Sequence, residues 1–183
     1  KNILWTGIES DTNLFQEWEN LIKKEGAEIR IAKPGLKIHL SDKIFLQTLW
    51  PDQNLAPEII KDINNTSIVL KLNSYDLQIL FPGDITKDIE YLLFEKGIDL
   101  KADVLQVPHH GSKYSSTELF LSEVNPVLAI ISAGKNNPYR FPHQEVLERL
   151  SEYDIKVLST INNQNICLIQ KKKKPFFLLS LTE

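Results

Sequence analysis

The sequence predicts an α/β (α+β) protein, a single domain spanning residues 1–183. Three observations carry that prediction. The first half is a succession of short extended apolar runs, mostly antiparallel in character, with one helical stretch among them. The second half alternates short apolar runs with helical patterns, as a sheet covered by helices on one face requires. No internal repeat, linker or low-complexity segment divides the chain, apart from the four-lysine run Lys171 to Lys174.

Each element has its own signal. Asn2 to Trp5 is a short apolar strand. Asp11 to Lys24 is helical, with Leu14, Phe15, Trp18, Leu21 and Ile22 on one face and Gly26 as the stop. Glu28 to Ala32, Lys37 to Leu40 and Lys43 to Leu49 read as strands, punctuated by Pro34-Gly35 and Ser41-Asp42. Pro51 to Asn65 is a polar loop with one helical turn. Thr66 to Leu72 and Leu77 to Phe81 form a hairpin closed by Asn73-Ser74-Tyr75-Asp76, a loop of about four residues. Thr86 to Glu95 is a helix with Ile89, Leu92 and Leu93 as its stripe, ended by Gly97. Strand Asp103 to Val107, helix Thr117 to Val124, strand Val127 to Ser132, helix Gln144 to Glu152 and strand Ile155 to Leu158 follow in alternation. Asn165 to Gln170 and Phe176 to Leu181 close the chain as strands, with Lys171 to Lys174 as a solvated hairpin tip.

Composition narrows the function classes. The chain is 42% apolar and 25% charged, ordinary for a globular protein, and long enough for a substantial core. A net charge of −3 excludes a bulk DNA-coating protein, but not an enzyme that grips phosphodiesters through metals. The single cysteine, Cys167, can form neither an internal disulfide nor a Cys-rich zinc site, and reads as a small buried core residue. No apolar run approaches the roughly 20 residues that span a bilayer.

Chemistry concentrates in the run Asp103-Val-Leu-Gln-Val-Pro-His109-His110-Gly111-Ser112, preceded by Gly83-Asp84 and followed by Phe141-Pro142-His143. Three of the four histidines and one turn aspartate sit just past apolar runs. Gathered at one end of a sheet, they would form the ligand set of a hydrolytic metal centre. Asp84 has a competing role as a cap for the helix that follows it, and His143 one as a helix-start residue. His109 and His110, if extended, point in opposite directions, whereas a loop could aim both inward. His39 lies in an alternating strand and reads as a plain strand histidine. Ser112, Ser115 and Ser116 lack a Gly-x-Ser-x-Gly elbow. Gly134-Lys135-Asn136-Asn137 lacks the P-loop pattern, yet Lys135 and Asn136 could contact an anionic substrate near His143.

In this order, Phe81-Pro-Gly-Asp84, Lys101 to Ser112, Ala129-Ile-Ile-Ser132, Gly134-Lys-Asn-Asn137 and Pro142 to Leu150 resemble the C-terminal metallo-β-lactamase-like domain of ComEC. That family comprises the competence proteins of DNA uptake and their stand-alone metallohydrolase relatives. Asn64-Asn65-Thr66-Ser67 is similar to its Asn-rich segment. The resemblance implies a four-layer αββα sandwich and two divalent metal ions, zinc or manganese. It implies Asp84 as the bridging carboxylate, with His109 and His143 as further ligands. His110 becomes a catalytic, substrate-contacting or alternative ligand residue. Beside what the resemblance implies, Ser112, Lys135 and Asn136 are the candidate substrate-binding residues. Which of the adjacent histidines binds metal stays open.

The implied activity is phosphodiester hydrolysis of DNA, single-stranded in the first instance. The implied partner is a membrane-channel domain of the same polypeptide, and the implied location membrane-associated or extracytoplasmic. The alternatives are a stand-alone hydrolase of a small ester, lactone or phosphoester, and a degenerate module that binds without catalysis. The family's upstream His-x-(His/Asp)-x-Asp-His motif is absent, and the chain lacks methionine and opens at Lys1. The expectation is therefore an N-terminally truncated domain, a poor catalyst by itself.

Overall fold

The computed structural model describes residues 1–170 and 177–181, with side chains described for residues 1–170. The chain opens with β1 (Asn2–Trp5), α1 (Asn13–Glu25) and β2 (Glu28–Ile31), the two strands pairing in parallel. The Thr12 side chain caps α1 by accepting from the Phe15 amide, and Gly26 ends it at φ 61. The apolar stripe of α1 meets β1 through Trp5, Phe15 and Trp18, whose ring centroids lie 5.4–5.9 Å apart.

The centre of the molecule is one seven-stranded sheet. It comprises β3 (Lys37–Ser41), β4 (Ile44–Trp50), β5 (Val69–Ser74), β6 (Leu77–Phe81), β7 (Val104–Gln106), β8 (Leu128–Ile131) and β9 (Lys156–Ser159), side by side in chain order. Strands β3 to β6 pair antiparallel, and β6 to β9 pair in parallel. Between β4 and β5 lie α2 (Pro57–Ile60) and a 3₁₀ turn, Ile63–Thr66. The parallel crossovers carry α3 (Lys87–Glu95), α4 (Glu118–Val124) and α5 (Gln144–Glu152), and α6 (Thr160–Asn163) follows β9. Strands β10 (Asn165–Ile169) and β11 (Phe177–Leu181) form an antiparallel ladder.

Alternation along the strands divides the core. Leu80, Leu105, Ala129 and Ile131 join Ile89 and Leu93 of α3, Phe120 and Leu121 of α4, and Val146 and Leu150 of α5 in one buried cluster. Their neighbours Leu77, Ile79, Val104 and Leu128 form a second cluster with Leu168 of β10. Full burial of each such side chain stabilises by about 1.5–3 kcal/mol. This is why β7 persists although it has only three residues.

The observed fold is thus mixed α/β with a large central sheet and helices. A second large sheet, as the αββα expectation requires, is not present among the described residues. Some boundaries move. The hairpin loop shrinks to Tyr75-Asp76 because pairing runs on to Ser74 and Leu77. The strand expected from Thr66 starts at Val69, because Ile63–Thr66 is a 3₁₀ turn whose first amides are capped by Asp62. Cys167 is half-buried in the β10–β11 ladder rather than in the core, and the short helix α6 had no sequence signal. The predicted lysine tip, Lys171 to Lys174, lies outside the described residues. Among those residues no helix is long and apolar enough to cross a membrane.

Candidate metal centre

Strands β6, β7 and β8 run in one direction, so the loops after their C-terminal ends emerge at one edge. Parallel sheets place ligands in the crevice there. Asp84 follows β6, His109 and His110 follow β7, Ser132 follows β8, and His143 ends the long loop before α5.

Asp84 is delivered by Gly83, at φ +64, where a Cβ would stand 2.9 Å from Ser67 Cβ. That close approach lets Asp84 N donate to Ser67 Oγ at 3.1 Å. The Thr86 hydroxyl donates to Asn65 Oδ1 at 2.7 Å, and Trp50 Nε1 donates to the Asn65 carbonyl at 2.7 Å. Asn65 and Ser67 therefore brace the aspartate loop. Helix α3 starts at Lys87 with Thr86 at its N-cap, so Asp84 is not the cap. Its carboxylate turns to His110 instead, with Oδ1 3.6 Å from Nε2.

His109 and His110 are not extended. Both occupy the left-handed region, at φ 51 and φ 56, inside the turn Pro108–Gly111. Consecutive non-glycine residues there are uncommon, and the surroundings must hold them. His109 N donates to the Gly83 carbonyl at 3.0 Å, and Ser112 N to the His109 carbonyl at 2.9 Å. His110 Nδ1 lies 2.7 Å from the Ser132 carbonyl. A carbonyl can only accept, so Nδ1 carries a proton and Nε2 is the nitrogen that faces Asp84. Metal-binding imidazoles are held by the same kind of bond. His109 Nδ1 is buried with no hydrogen-bond partner among the described residues, a departure from the usual pairing of buried polar atoms.

His143 reaches this edge through glycine. Gly111 has φ +85, and a Cβ there would stand 2.5 Å from Pro142 Cβ. His143 N donates to the Gly111 carbonyl at 2.9 Å, and Lys113 N donates to His143 Nδ1 at 3.1 Å. The neutral His143 ring therefore carries its proton on Nε2. The Phe141 ring stands among the three imidazoles, 5.7 Å from His109, 6.3 Å from His110 and 5.1 Å from His143.

Asp84 and His110 are brought together as a pair, whereas His109 and His143 each pack against Phe141. Among the described residues no three His, Cys, Asp or Glu side chains gather as a metal-holding group. The pair nevertheless fits an ion. Ligands about 2.0–2.2 Å from a tetrahedral centre lie roughly 3.4 Å from one another, close to the observed 3.6 Å.

Of the expected substrate contacts, Lys135 and Asn136 are exposed on the loop after β8. Ser112 is only 1% exposed, and its Oγ accepts from Tyr114 N, so the hydroxyl shapes the turn. Sequence reasoning passed over Tyr139 and the central placement of Phe141, and it missed the clamp formed by Asn137. That side chain donates to the Gly134 and Phe141 carbonyls and accepts from Phe141 N, each at 2.8 Å. The Asn137-Pro138 turn signal could have found it. Behind the site, Glu90 is buried and accepts from the amides of Ser116 and Thr117. Burial pushes its carboxyl above the ordinary 4.5, against the pull of those bonds and of Arg149.

No protein-family model matches the chain. It is 40% identical over 144 residues to ComE operon protein 3 of Bacillus subtilis (strain 168), which covers 79% of this chain and 18% of the relative. It is 43% identical over 110 residues to recombination protein 2 of Haemophilus influenzae, covering 59% and 14%. Competence protein ComA of Neisseria gonorrhoeae matches at 38% over 100 residues, covering 54% and 14%. The chain thus spans less than a fifth of the length of these relatives. A crystal structure of a provisionally named metal-dependent hydrolase from Parabacteroides distasonis superposes with a TM-score of 0.50 at 18% identity, covering 86% of this chain and 74% of that one. The chain is therefore similar in sequence to segments of bacterial competence proteins, and shares its fold with that hydrolase.

Proposed function

We propose that this chain belongs to the hydrolytic part of a ComEC-type competence protein, as the later part of a metallo-β-lactamase-like αββα domain that cleaves DNA phosphodiesters during uptake. Single strands are the first substrate, and a membrane-channel domain of the same polypeptide is the partner. The observation that carries this reading is the Asp84–His110 pair, with His110 Nδ1 tied to the Ser132 carbonyl. Similarity to a competence protein is consistent with a DNA-uptake role.

Asp84 and His110 would hold the first of two divalent ions, with His109 offering its unpartnered nitrogen. A His/Asp donor set suits Zn²⁺ and also Mn²⁺. When bound, such ions supply an activated water and neutralise charge on the phosphoryl oxygens. The chain's own contribution is orientation and proton handling. Ser132 fixes the His110 tautomer, and Gly83 with Ser67 fixes the aspartate. His143 is held with its proton on Nε2, where it can donate to an oxygen of the substrate or leaving group. That would give His143 a donor role in place of the ligand role implied by the resemblance.

The test is metal content and cleavage of single- and double-stranded DNA by the intact parent polypeptide, beside Asp84→Ala, His110→Ala and His143→Ala. We expect about two ions per chain. The first two variants should lose metal and about three orders of magnitude in rate. His143→Ala should keep its metal and slow by about a hundredfold. Metal lost from His143→Ala would return that residue to the ligand set. Absence of any DNA cleavage with Mn²⁺ or Zn²⁺ would sink the nuclease reading.

A further inference from the structure

Beside His110 lies an open cleft of about 560 Å³ whose walls include Ser132, Gly134, Pro138, Tyr139 and Phe141. Its character differs from that of the polar pair next to it. The Tyr139 and Phe141 rings are stacked, 5.5 Å apart at 18°, and His110 continues the series at 28° to Phe141. The stacked Tyr139 and Phe141 rings thus lead from solvent towards His110 of the Asp84–His110 pair. Phe141 has structural work among the imidazoles, but Tyr139 does not. It is 70% exposed and buries little surface of its own. The Asn137 clamp nonetheless holds the loop that presents it, and Arg140 in that loop sits at φ 59. An exposed aromatic held on a fixed loop, with one face already stacked, offers its other face to a flat ligand.

We propose that this cleft is a nucleobase subsite, in which Tyr139 stacks on the base of the nucleotide adjoining the scissile phosphate. The inference rests on the phosphodiesterase reading of the neighbouring residues, and it adds why a single strand would be taken. A base inside a duplex is stacked on both sides, whereas a single strand can lay one base on an aromatic ring, without regard to sequence. Lys135 and Arg140, both exposed on the loop that carries Tyr139, are cations available to the strand's phosphates. An aliphatic ester or lactone would have no use for a ladder of parallel rings.

The experiment uses the intact parent polypeptide and a single strand carrying one fluorescent purine analogue. In metal-free protein, binding should quench the analogue in the wild type and in Tyr139→Phe, but not in Tyr139→Ala. With metal, Tyr139→Ala should lower kcat/KM roughly tenfold. An abasic site at the same nucleotide should remove the same factor, and the two losses should not multiply. Quenching unchanged in Tyr139→Ala, or losses that multiply, would overturn the subsite. Tyr139-dependent quenching in a protein that cleaves no DNA would uphold the subsite and remove the nuclease reading. Cleavage indifferent to Tyr139 would do the reverse.

Discussion

The central sheet joins two regions built on different terms. Its antiparallel half, β3 to β6, is held by long ladders between strands of 5–7 residues, and β3 is largely exposed. Its parallel half, β6 to β9, uses strands of 3–5 residues enclosed by side chains on both faces. Antiparallel neighbours can be joined by tight turns, as at Tyr75-Asp76, which leave no room for chemistry. Parallel neighbours need a crossover, and each crossover begins with a loop at the same edge. Asp84, His109, His110 and His143 all sit on such loops. The half with fewer ladder bonds carries the site because its connectivity brings loops together.

Damage to the loop edge should therefore cost more than damage to the ladders. The largest effect is expected from Gly111→Ala, which combines φ +85 with a Cβ 2.5 Å from Pro142. Unfolding in urea should show a loss of about 2–4 kcal/mol. Tolerance of this change would mean that the two histidine loops are not locked together.

Glu90→Gln comes next, since it weakens the bonds that hold Ser116 and Thr117 behind the histidine turn. Because the folded carboxyl is raised above 4.5, its contribution is complete below that pH and fades as pH rises through the folded value. The variant should cost about 1–2 kcal/mol near the lower end of that window and less at about pH 8. A cost that grows with pH would show the opposite shift.

The smallest effect belongs to the antiparallel half. Lys71 of β5 is 4% exposed and bonds Asp99 at 2.9 Å, while Asp99 is 77% exposed. The Lys71 bond holds Asp99 below its ordinary 3.8. That contribution is present above 3.8 and disappears as pH falls through the lower folded value. Asp99→Asn should cost about 1 kcal/mol at neutral pH, after allowance for solvent screening. A larger loss than that of Gly111→Ala would reverse the comparison between the halves.

Local signals explain how much of this was legible in the sequence. Apolar periodicity located α1, α3, α4, α5 and the strands, because burial on a fixed face leaves its period in the chain. The approach of Asp84 to His110 followed from their positions after strands, whereas no group of three or four such ligands gathers among the described residues. What stayed hidden depended on distant partners. The left-handed geometry of His109 and His110 is held by Gly83 and Ser112, and the His110 tautomer by a carbonyl 22 residues away. Asp84 had a cap's position, but the helix starts later, at Lys87. Phe141 was visible beside Pro142, yet nothing local places its ring among three imidazoles.

The contact between Gly111 and Pro142 has a consequence for inheritance. The two positions lie 31 residues apart in the sequence, but one occupies the space that the other's Cβ would need. A lineage that acquires a side chain at 111 must give ground at 142 in the same step or lose the docking of His143. Neither site can drift alone. Across descendants of this chain the two should change together or not at all, a pairing that a comparison of related genes can read without a protein in hand.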